Sequence, residues 1–413
     1  MDIAIVGGGI AGLTLALNLK RHGIACRVYE RAPEVKELGV GITVLPHAMR
    51  EFAALGLEDE IVASGIVNSE SAFFNRFGQL IYKEPRGLAA GYKYREVGIH
   101  RGRLHMILWR VAQRELGVEN LVTNRAAQRV EQDDTGATVH FTDATTGAPA
   151  GSVRADAVIA CDGVNSTIRR QYYPDEQLAF SGINTWRGVT RHKPVWDGKT
   201  YMRVGSIRTG KMVIYPIIDN VDGEGNQLIN WMAEIEREAS TRNDWNEPGK
   251  IDDFFDIYAS WRFEWLDVAQ MIRDADQILE YPMVDKDPVK AWTFGRVTLA
   301  GDAAHPMYPR GSNGSAQAAI DTRTLAELLA KSGGDVPAAL KAYENARLEA
   351  AYRVVLTNRS TPPDFINIKV EDLVGDKPFD DLDKYITQDE LRALSENYKK
   401  VAGFSSADAS VAR

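Results

Sequence analysis

Cysteine is almost missing from this chain: Cys26 and Cys161 are the only two in 413 residues, and they form no C-x-x-C pair. A secreted disulfide scaffold needs more, so a reducing, cytoplasmic location is expected. The seven histidines are scattered without H-E-x-x-H spacing, and no metal site is expected. Excess basic charge is also lacking. Lys plus Arg number 49 against 57 Asp plus Glu, a formal net charge of −8 that argues against a phosphate-coating surface and against nucleic acid as a partner. Long apolar runs are nearly absent too. Only Ile3 to Leu19 approaches, uncharged, the ~20 residues that cross a bilayer, and Gly7, Gly8, Gly9 and Gly12 interrupt it. Met1-Asp2 is no basic leader, so neither a membrane span nor a signal peptide is expected. What remains, 44% apolar and 26% charged, is the composition of a globular protein of two or three domains.

The chain opens as strand, turn and helix. Ile3–Val6 is short and apolar, glycines follow, and helical periodicity runs from Leu13 to Arg21 until Gly23 stops it. A second strand, Cys26–Tyr29, ends at Glu30 and completes a βαβ unit of about 30 residues. Helices are expected over His47–Phe52 and Arg103–Leu116. Alternating strands from Leu121 to Ile159, with turns at Asp134-Thr-Gly136 and Thr146-Gly147, predict a small β-meander that ends in the strand Ala157–Ala160. Residues 180–283 read as a separate antiparallel layer with a hairpin loop at Asp222-Gly-Glu-Gly225. A further β run, Val297–Ala300, precedes helices over Gly314–Lys331 and from Asp335 to about Thr357. A polar region begins at Pro362-Pro363, and the terminal SSADASVAR is expected to fray.

Three motifs carry chemistry. Gly7-x-Gly9-x-x-Gly12 stands between strand and helix, where the glycines allow a tight turn, close approach of a diphosphate and helix–strand packing. Glu30 follows at the end of the second strand, where an acidic side chain meets ribose hydroxyls. This pair signals a dinucleotide without distinguishing NAD from FAD. Cys161-Asp162-Gly163 and Gly301-Asp302-Ala-Ala-His305-Pro306 each place a carboxylate just beyond a strand, where α/β proteins bind ligands. Gly311, Asn313 and Gly314 open a helix, whose N–H groups and positive dipole end would favour negative charge on a ligand before them. No second Gly-x-Gly-x-x-Gly follows a strand, so a separate nicotinamide-binding Rossmann domain is not expected.

Together, in this order and over nearly the whole chain, the three motifs resemble the fingerprints of the class A FAD-dependent aromatic hydroxylases, the p-hydroxybenzoate hydroxylase-like flavoprotein monooxygenases. His100-Arg101-Gly-Arg-Leu-His-Met-Ile-Leu, Thr185-Trp-Arg-Gly-Val-Thr190, Tyr281-Pro-Met-Val-Asp285 and Met307-Tyr-Pro309 look like the phenazine hydroxylase branch. The resemblance implies an α/β fold: a Rossmann-like FAD-binding domain of the glutathione reductase type over 1–75, 96–179 and 284–360. A substrate-binding β-sheet domain would take 76–95 and 180–283, and a C-terminal helical region with a flexible tail 361–413.

It also implies non-covalent FAD, NAD(P)H as transient reductant, O2 and a small aromatic substrate as partners, and a monomer or homodimer. The chemistry would be hydroxylation of an electron-rich aromatic or N-heteroaromatic ring through a flavin C4a-hydroperoxide, with loss of CO2 if the attacked carbon carries a carboxylate. A flavin oxidase or dehydrogenase, or a non-enzymatic member of the fold, are the alternatives. The cofactor residues would be Gly7, Gly9, Ala11, Gly12, Glu30, Arg31, Val40, Gly41, Arg101, Asp162, Gly163, Gly301, Asp302, Pro309, Gly311, Asn313 and Gly314. By the same likeness Arg101 and Asp162-Gly163 lie at the diphosphate and Asp302 at the ribitol chain. Pro309-x-Gly311-x-x-Gly314 replaces the commoner Pro-x-x-Gly-x-Gly. Trp186, Arg187, Tyr215, Trp231, Met283 and Pro309 are the candidate substrate-pocket residues, with Arg187 or Arg203 to anchor a substrate carboxylate. His47, where small or amide residues are commoner, is the one candidate acid–base residue.

Overall fold

The computed structural model describes residues 1–236, 247–360 and 364–402. Pro362-Pro363 and the tail expected to fray lie outside them. A six-stranded sheet runs in the order Thr293–Phe294, Val297–Leu299, Ala157–Ala160, Asp2–Val6, Ala25–Tyr29, Leu121–Val122. All its pairings are parallel except the first hairpin. The central strand is apolar on both faces because both are covered, as parallel sheets require. The expected first helix begins earlier, at Ile10, and Gly23 follows its end with φ +68°. The meander forms a separate three-stranded antiparallel sheet over Ala126–Gln132, Ala137–Thr142 and Pro149–Ala155.

The second layer is an eight-stranded sheet. Its order is Glu247–Pro248, Gln277–Asp285, Ala179–His192, Gln227–Glu236, Gly210–Ile218, Thr200–Ser206, Glu70–Phe74, Leu80–Pro85. The sequence division left residues 70–75 with the first domain, but Glu70–Phe74 pairs in parallel with Thr200–Ser206 and belongs to this sheet. Its short Ser-Ala-Phe-Phe run is buried throughout and has no polar–apolar alternation to reveal which sheet it joins. Likewise Gln277–Asp285 carries the sheet two residues past the expected boundary at 283.

Strand alternation divides this layer into two faces. One buries Trp186, Met202, Met212, Ile214 and Trp231 against Phe254, Tyr258, Trp261 and Met271. Trp186 stacks on Phe254 at 5.0 Å, and Trp231 Nε1 donates to Thr190 Oγ1 at 3.0 Å. The opposite face carries Tyr201, Val213, Tyr215 and Met232. It meets the first layer, since Asn230 Oδ1 accepts the Gly41 N–H at 2.7 Å. Trp186 and Trp231 are therefore core residues of the far face and not pocket walls. Their neighbours in sequence, one step along each strand, are the ones that look toward the cofactor domain.

The chain ends in helices Phe365–Val374 and Gln388–Ala402, which pack Ile366, Val370 and Leu391 on Phe73 and Ile81. Buried ion pairs tie this segment down: Lys211 bridges Glu234 at 2.7 Å and Asp364 at 3.0 Å, Arg310 reaches Asp364 at 2.9 Å, and Lys399 reaches Glu84 at 2.8 Å. Among the described residues no helix is long and apolar enough to cross a membrane.

Trp231→Phe is expected to lower stability to urea by about 1–3 kcal/mol while leaving the KM for an aromatic substrate unchanged. A raised KM at unchanged stability would return the indole to the pocket.

Candidate active site

The carboxyl ends of three adjacent parallel strands build the site. Gly7 N–H donates to Tyr29 O at 2.8 Å, Cys161 N–H to Val6 O at 2.7 Å and Ala300 N–H to Ala160 O at 2.9 Å. These bonds level the strands, so the Gly7 turn, Asp162 and Gly301-Asp302 emerge side by side. Gly7 has φ +106°, and a Cβ there would strike the Cys161 carbonyl. Gly301 in turn packs so closely that a Cβ would lie 2.9 Å from Ala11 Cβ, which binds the third motif to the first. Gly9 caps helix Ile10–Arg21 without a side-chain bond, and nothing lies within 4 Å of where its Cβ would be. The first N–H groups of that helix are thus open to an anion.

Glu30 shapes the backbone around it. Its Oε2 accepts the Gly8 N–H and its Oε1 the Ala32 N–H, both at 2.7 Å, so it shapes the glycine turn. His105 completes this shape: its Nε2 lies 2.6 Å from the Gly8 carbonyl, which can only accept, so Nε2 carries the proton. Sequence reasoning missed His105. Its one signal is the four-residue spacing from Arg101 on helix Arg101–Leu116, which puts both on one face.

Asp162 Oδ2 accepts the Thr167 N–H at 2.8 Å, whereas its Oδ1 is buried without a partner. Burial pushes its carboxyl above the usual range. Asp302 is exposed at its surface, yet surrounding protein raises its pKa as well. Gly314 lies next to it, its Cβ position 3.8 Å from Asp302 Oδ1. Gly163 has φ +78° and open space at its side. Arg31 and Arg101 are exposed, and the Arg101 N–H holds the loop before it by donating to Val40 O at 2.9 Å. An uncapped helix start, a carboxylate at the end of the second strand, a half-satisfied buried aspartate and an exposed aspartate at the next strand end are a set of groups that fits FAD.

The loop from Pro309 reaches helix Gly314–Lys331 through Gly311 at φ +85° and Ser312 at φ +58°. A Cβ on Gly311 would collide with the Tyr398 hydroxyl, which accounts for glycine at this point of the variant motif. Asn313 is the N-cap, but its side chain makes no capping bond. Instead Oδ1 lies 3.1 Å from His47 Nε2 and Nδ2 donates to Tyr398 at 2.7 Å. His47 is buried, and that burial lowers its pKa to about 3, so the ring is neutral at pH 7.

Residues 1–358 match the family model described as FAD binding domain. This chain belongs to that family. Phenazine 1,6-dicarboxylic acid hydroxylase PhzS of Lysobacter antibioticus is 38% identical over 363 residues, covering 87% of this chain and 89% of that protein. The 6-hydroxynicotinate 3-monooxygenase of Bordetella bronchiseptica is 29% identical, with 85% and 89% covered. The crystal structure of Klebsiella pneumoniae HpxO with FAD and uric acid superposes with a TM-score of 0.76 at 23% identity over 99% of this chain and 96% of that one. The protein is an FAD-dependent monooxygenase of the aromatic hydroxylase type.

In this hydroxylase the expected pocket residues separate. Tyr215 lies on the inner face of the large sheet, stacked on Tyr201 at 4.8 Å, and Arg187 lies on the same face over the Tyr281 ring. Met283 is fully buried with Ile183, Ile207 and Tyr308, directly before Pro309. Asn230 and Tyr398, which sequence reasoning also missed, come from elements that carry no recognisable motif.

Glu30→Ala is expected to weaken FAD binding by about 1.5–3 kcal/mol, roughly ten- to a hundred-fold in Kd, measured by titrating FAD into apoprotein. A second expectation concerns pH. With its pKa lowered from 6.5 to about 3, His47 takes up a proton more readily in the unfolded chain, so its contribution to stability is present above pH 6.5 and is lost as pH falls toward 3. Urea unfolding at pH 7 and pH 5 should therefore show a smaller acid-side loss for His47→Gln than for wild type.

Proposed function

We propose that this monooxygenase hydroxylates a flat, carboxylated N-heteroaromatic ring of the phenazine or pyridine type, consuming one O2 and one NAD(P)H per turnover. The observation that carries this reading is Arg203. Its side chain is buried, its Nη1 donates to Ser71 Oγ at 2.7 Å, and its guanidinium lies 4.6 Å from the Tyr201 ring centroid and 4.9 Å from that of Phe73. Among the described residues no carboxylate pairs with it. A buried cation without a counter-ion is costly, and a substrate carboxylate would relieve that cost with a bidentate bond. The stacked Tyr201–Tyr215 pair beside it suits a flat ring. The relatives' names add support, since they include a phenazine dicarboxylate and a hydroxynicotinate.

When bound, FAD takes two electrons from NAD(P)H and activates O2, of which one atom enters the ring and the other leaves as water. The chain holds it through the Gly7–Gly12 turn, Glu30, Arg101, Asp162 and Asp302. The positive end and first N–H groups of helix Gly314–Lys331, which Asn313 leaves without a side-chain cap, would favour negative charge on a flavin bound before them. The inner sheet face orients the ring and excludes water. The paired cytoplasmic requirements, a supply of NAD(P)H and reduced thiols, suit a protein whose Cys26 and Cys161 are both buried and unpaired.

Arg203→Met is expected to raise the KM of carboxylated rings by about 1.5–3 kcal/mol, on the order of ten- to a hundred-fold, with little change for the corresponding methyl esters. The readout is substrate-stimulated NAD(P)H oxidation with mass spectrometry of the product. Equal effects on acid and ester would remove Arg203 as the anchor.

A further inference from the structure

Tyr398 stands in the C-terminal helix, forty residues beyond the end of the family match at 358, yet its hydroxyl reaches the loop assigned above to the flavin. We infer that Tyr398 is a positioning residue that sets which nitrogen of His47 carries the proton and which way Asn313 faces at the start of helix Gly314–Lys331. This inference rests on the reading that the loop borders the flavin.

The argument begins at a group with no choice. The Tyr308 carbonyl can only accept, and Asn358 Nδ2 donates to it at 3.2 Å. Asn358 therefore offers its Oδ1 at the other end, where it accepts the Tyr398 O–H at 3.0 Å. With its single proton committed, the Tyr398 oxygen is an acceptor, and it takes Asn313 Nδ2–H at 2.7 Å. That turns the Asn313 Nδ2 toward Tyr398, a choice the Gly311 carbonyl supports through a longer bond of 3.3 Å, and Oδ1 toward His47. An amide oxygen can only accept, so the proton of the neutral imidazole resides on Nε2, and Nδ1 is the ring's accepting nitrogen. The Arg310 carbonyl, 3.4 Å from the Tyr398 hydroxyl, is a second and longer acceptor for the same proton, and with either one the tyrosine oxygen remains the acceptor for Asn313.

All five groups are buried, so water does not compete for these bonds. Burial also pushes the Tyr398 phenol well up, which keeps it protonated and able to donate. Tyr398 is itself held from the helix's flank, where Ser395 Oγ donates to Glu84 Oε2 at 2.6 Å and Lys399 pairs with the same oxygen at 2.8 Å. The C-terminal helix is thereby part of the active site's polar framework, although it carries no motif of its own.

The test is histidine nitrogen NMR on the FAD-loaded full chain with 15N-labelled histidine, His47 being assigned by its loss in His47→Gln. Wild type is expected to show His47 protonated at Nε2 at pH 7, and protonation at Nδ1 overturns the inference without any variant. Tyr398→Phe keeps the ring and removes the hydroxyl. It is expected to shift His47 toward a mixture of the two protonated forms and to raise several-fold the peroxide released per NAD(P)H. An unchanged His47 spectrum in folded, FAD-bound Tyr398→Phe overturns it. Lys399→Met loosens the same helix but leaves the hydroxyl, and it is expected to retain the wild-type spectrum. A shift there equal to that of Tyr398→Phe would show a general loosening of the helix and also overturn the inference. A colourless protein unable to bind FAD would defeat the flavin reading instead, whereas Nδ1 protonation in a yellow protein defeats this inference alone.

Discussion

The parallel pairing of Asp2–Val6 between Ala25–Tyr29 and Ala157–Ala160 is the constraint on which the site depends, because register decides where each strand ends. Val6 aligns with Tyr29 on one side and Ala160 on the other, so the glycine turn and Glu30 begin one residue later, and Asp162 two residues later, at the same edge. Val297–Leu299 extends the alignment, with Ala160 opposite Leu299, and brings Gly301-Asp302 to the same edge. A slip of one residue in any pair would reverse side-chain directions and separate these groups. The apolar side chains between the covering helices enforce that register, which connects core packing directly to cofactor geometry.

The second layer is attached to this edge by few but buried polar contacts. Asn230 reaches Gly41 from the sheet, and a Cβ on Gly98 would lie 3.3 Å from the Tyr215 ring. Lys211, Glu234, Arg310 and Asp364 then join the sheet, the Pro309 loop and the C-terminal segment in one ionic group. Such a group is weak support for stability, since desolvation opposes the attraction. Its geometric effect is to tie Arg310, in the loop that opens helix Gly314–Lys331, to Asp364 and through it to Lys211 of the sheet.

The glycine turn and the carboxylates at the strand ends were legible in the sequence for a physical reason. A diphosphate at a helix start needs glycine where backbone and ligand approach, and a ribose needs a carboxylate at a strand end. These requirements are local, so they leave fixed spacings such as Gly7-x-Gly9-x-x-Gly12 and Gly301-Asp302. The residues that hold the motifs in place had no such spacing. His105 beneath Gly8, Asn230 against Gly41 and Tyr398 against Asn313 each act across more than 80 residues of chain.

The substrate wall shows the division most sharply. Trp186 and Arg187 are neighbours, and composition favours the tryptophan as the wall of an aromatic pocket, yet the pleat turns it into the core beside Phe254 and turns Arg187 inward. By itself, then, the sequence determined the dinucleotide turn, the order of the three motifs and the existence of an antiparallel layer, because each follows from local backbone chemistry or strand period. Only the tertiary structure decided which face of that layer looks at the cofactor, that Glu70–Phe74 joins it, and that the C-terminal helix supplies Tyr398. Those outcomes depend on pairing and packing between distant segments, and neither leaves a periodic trace in the chain.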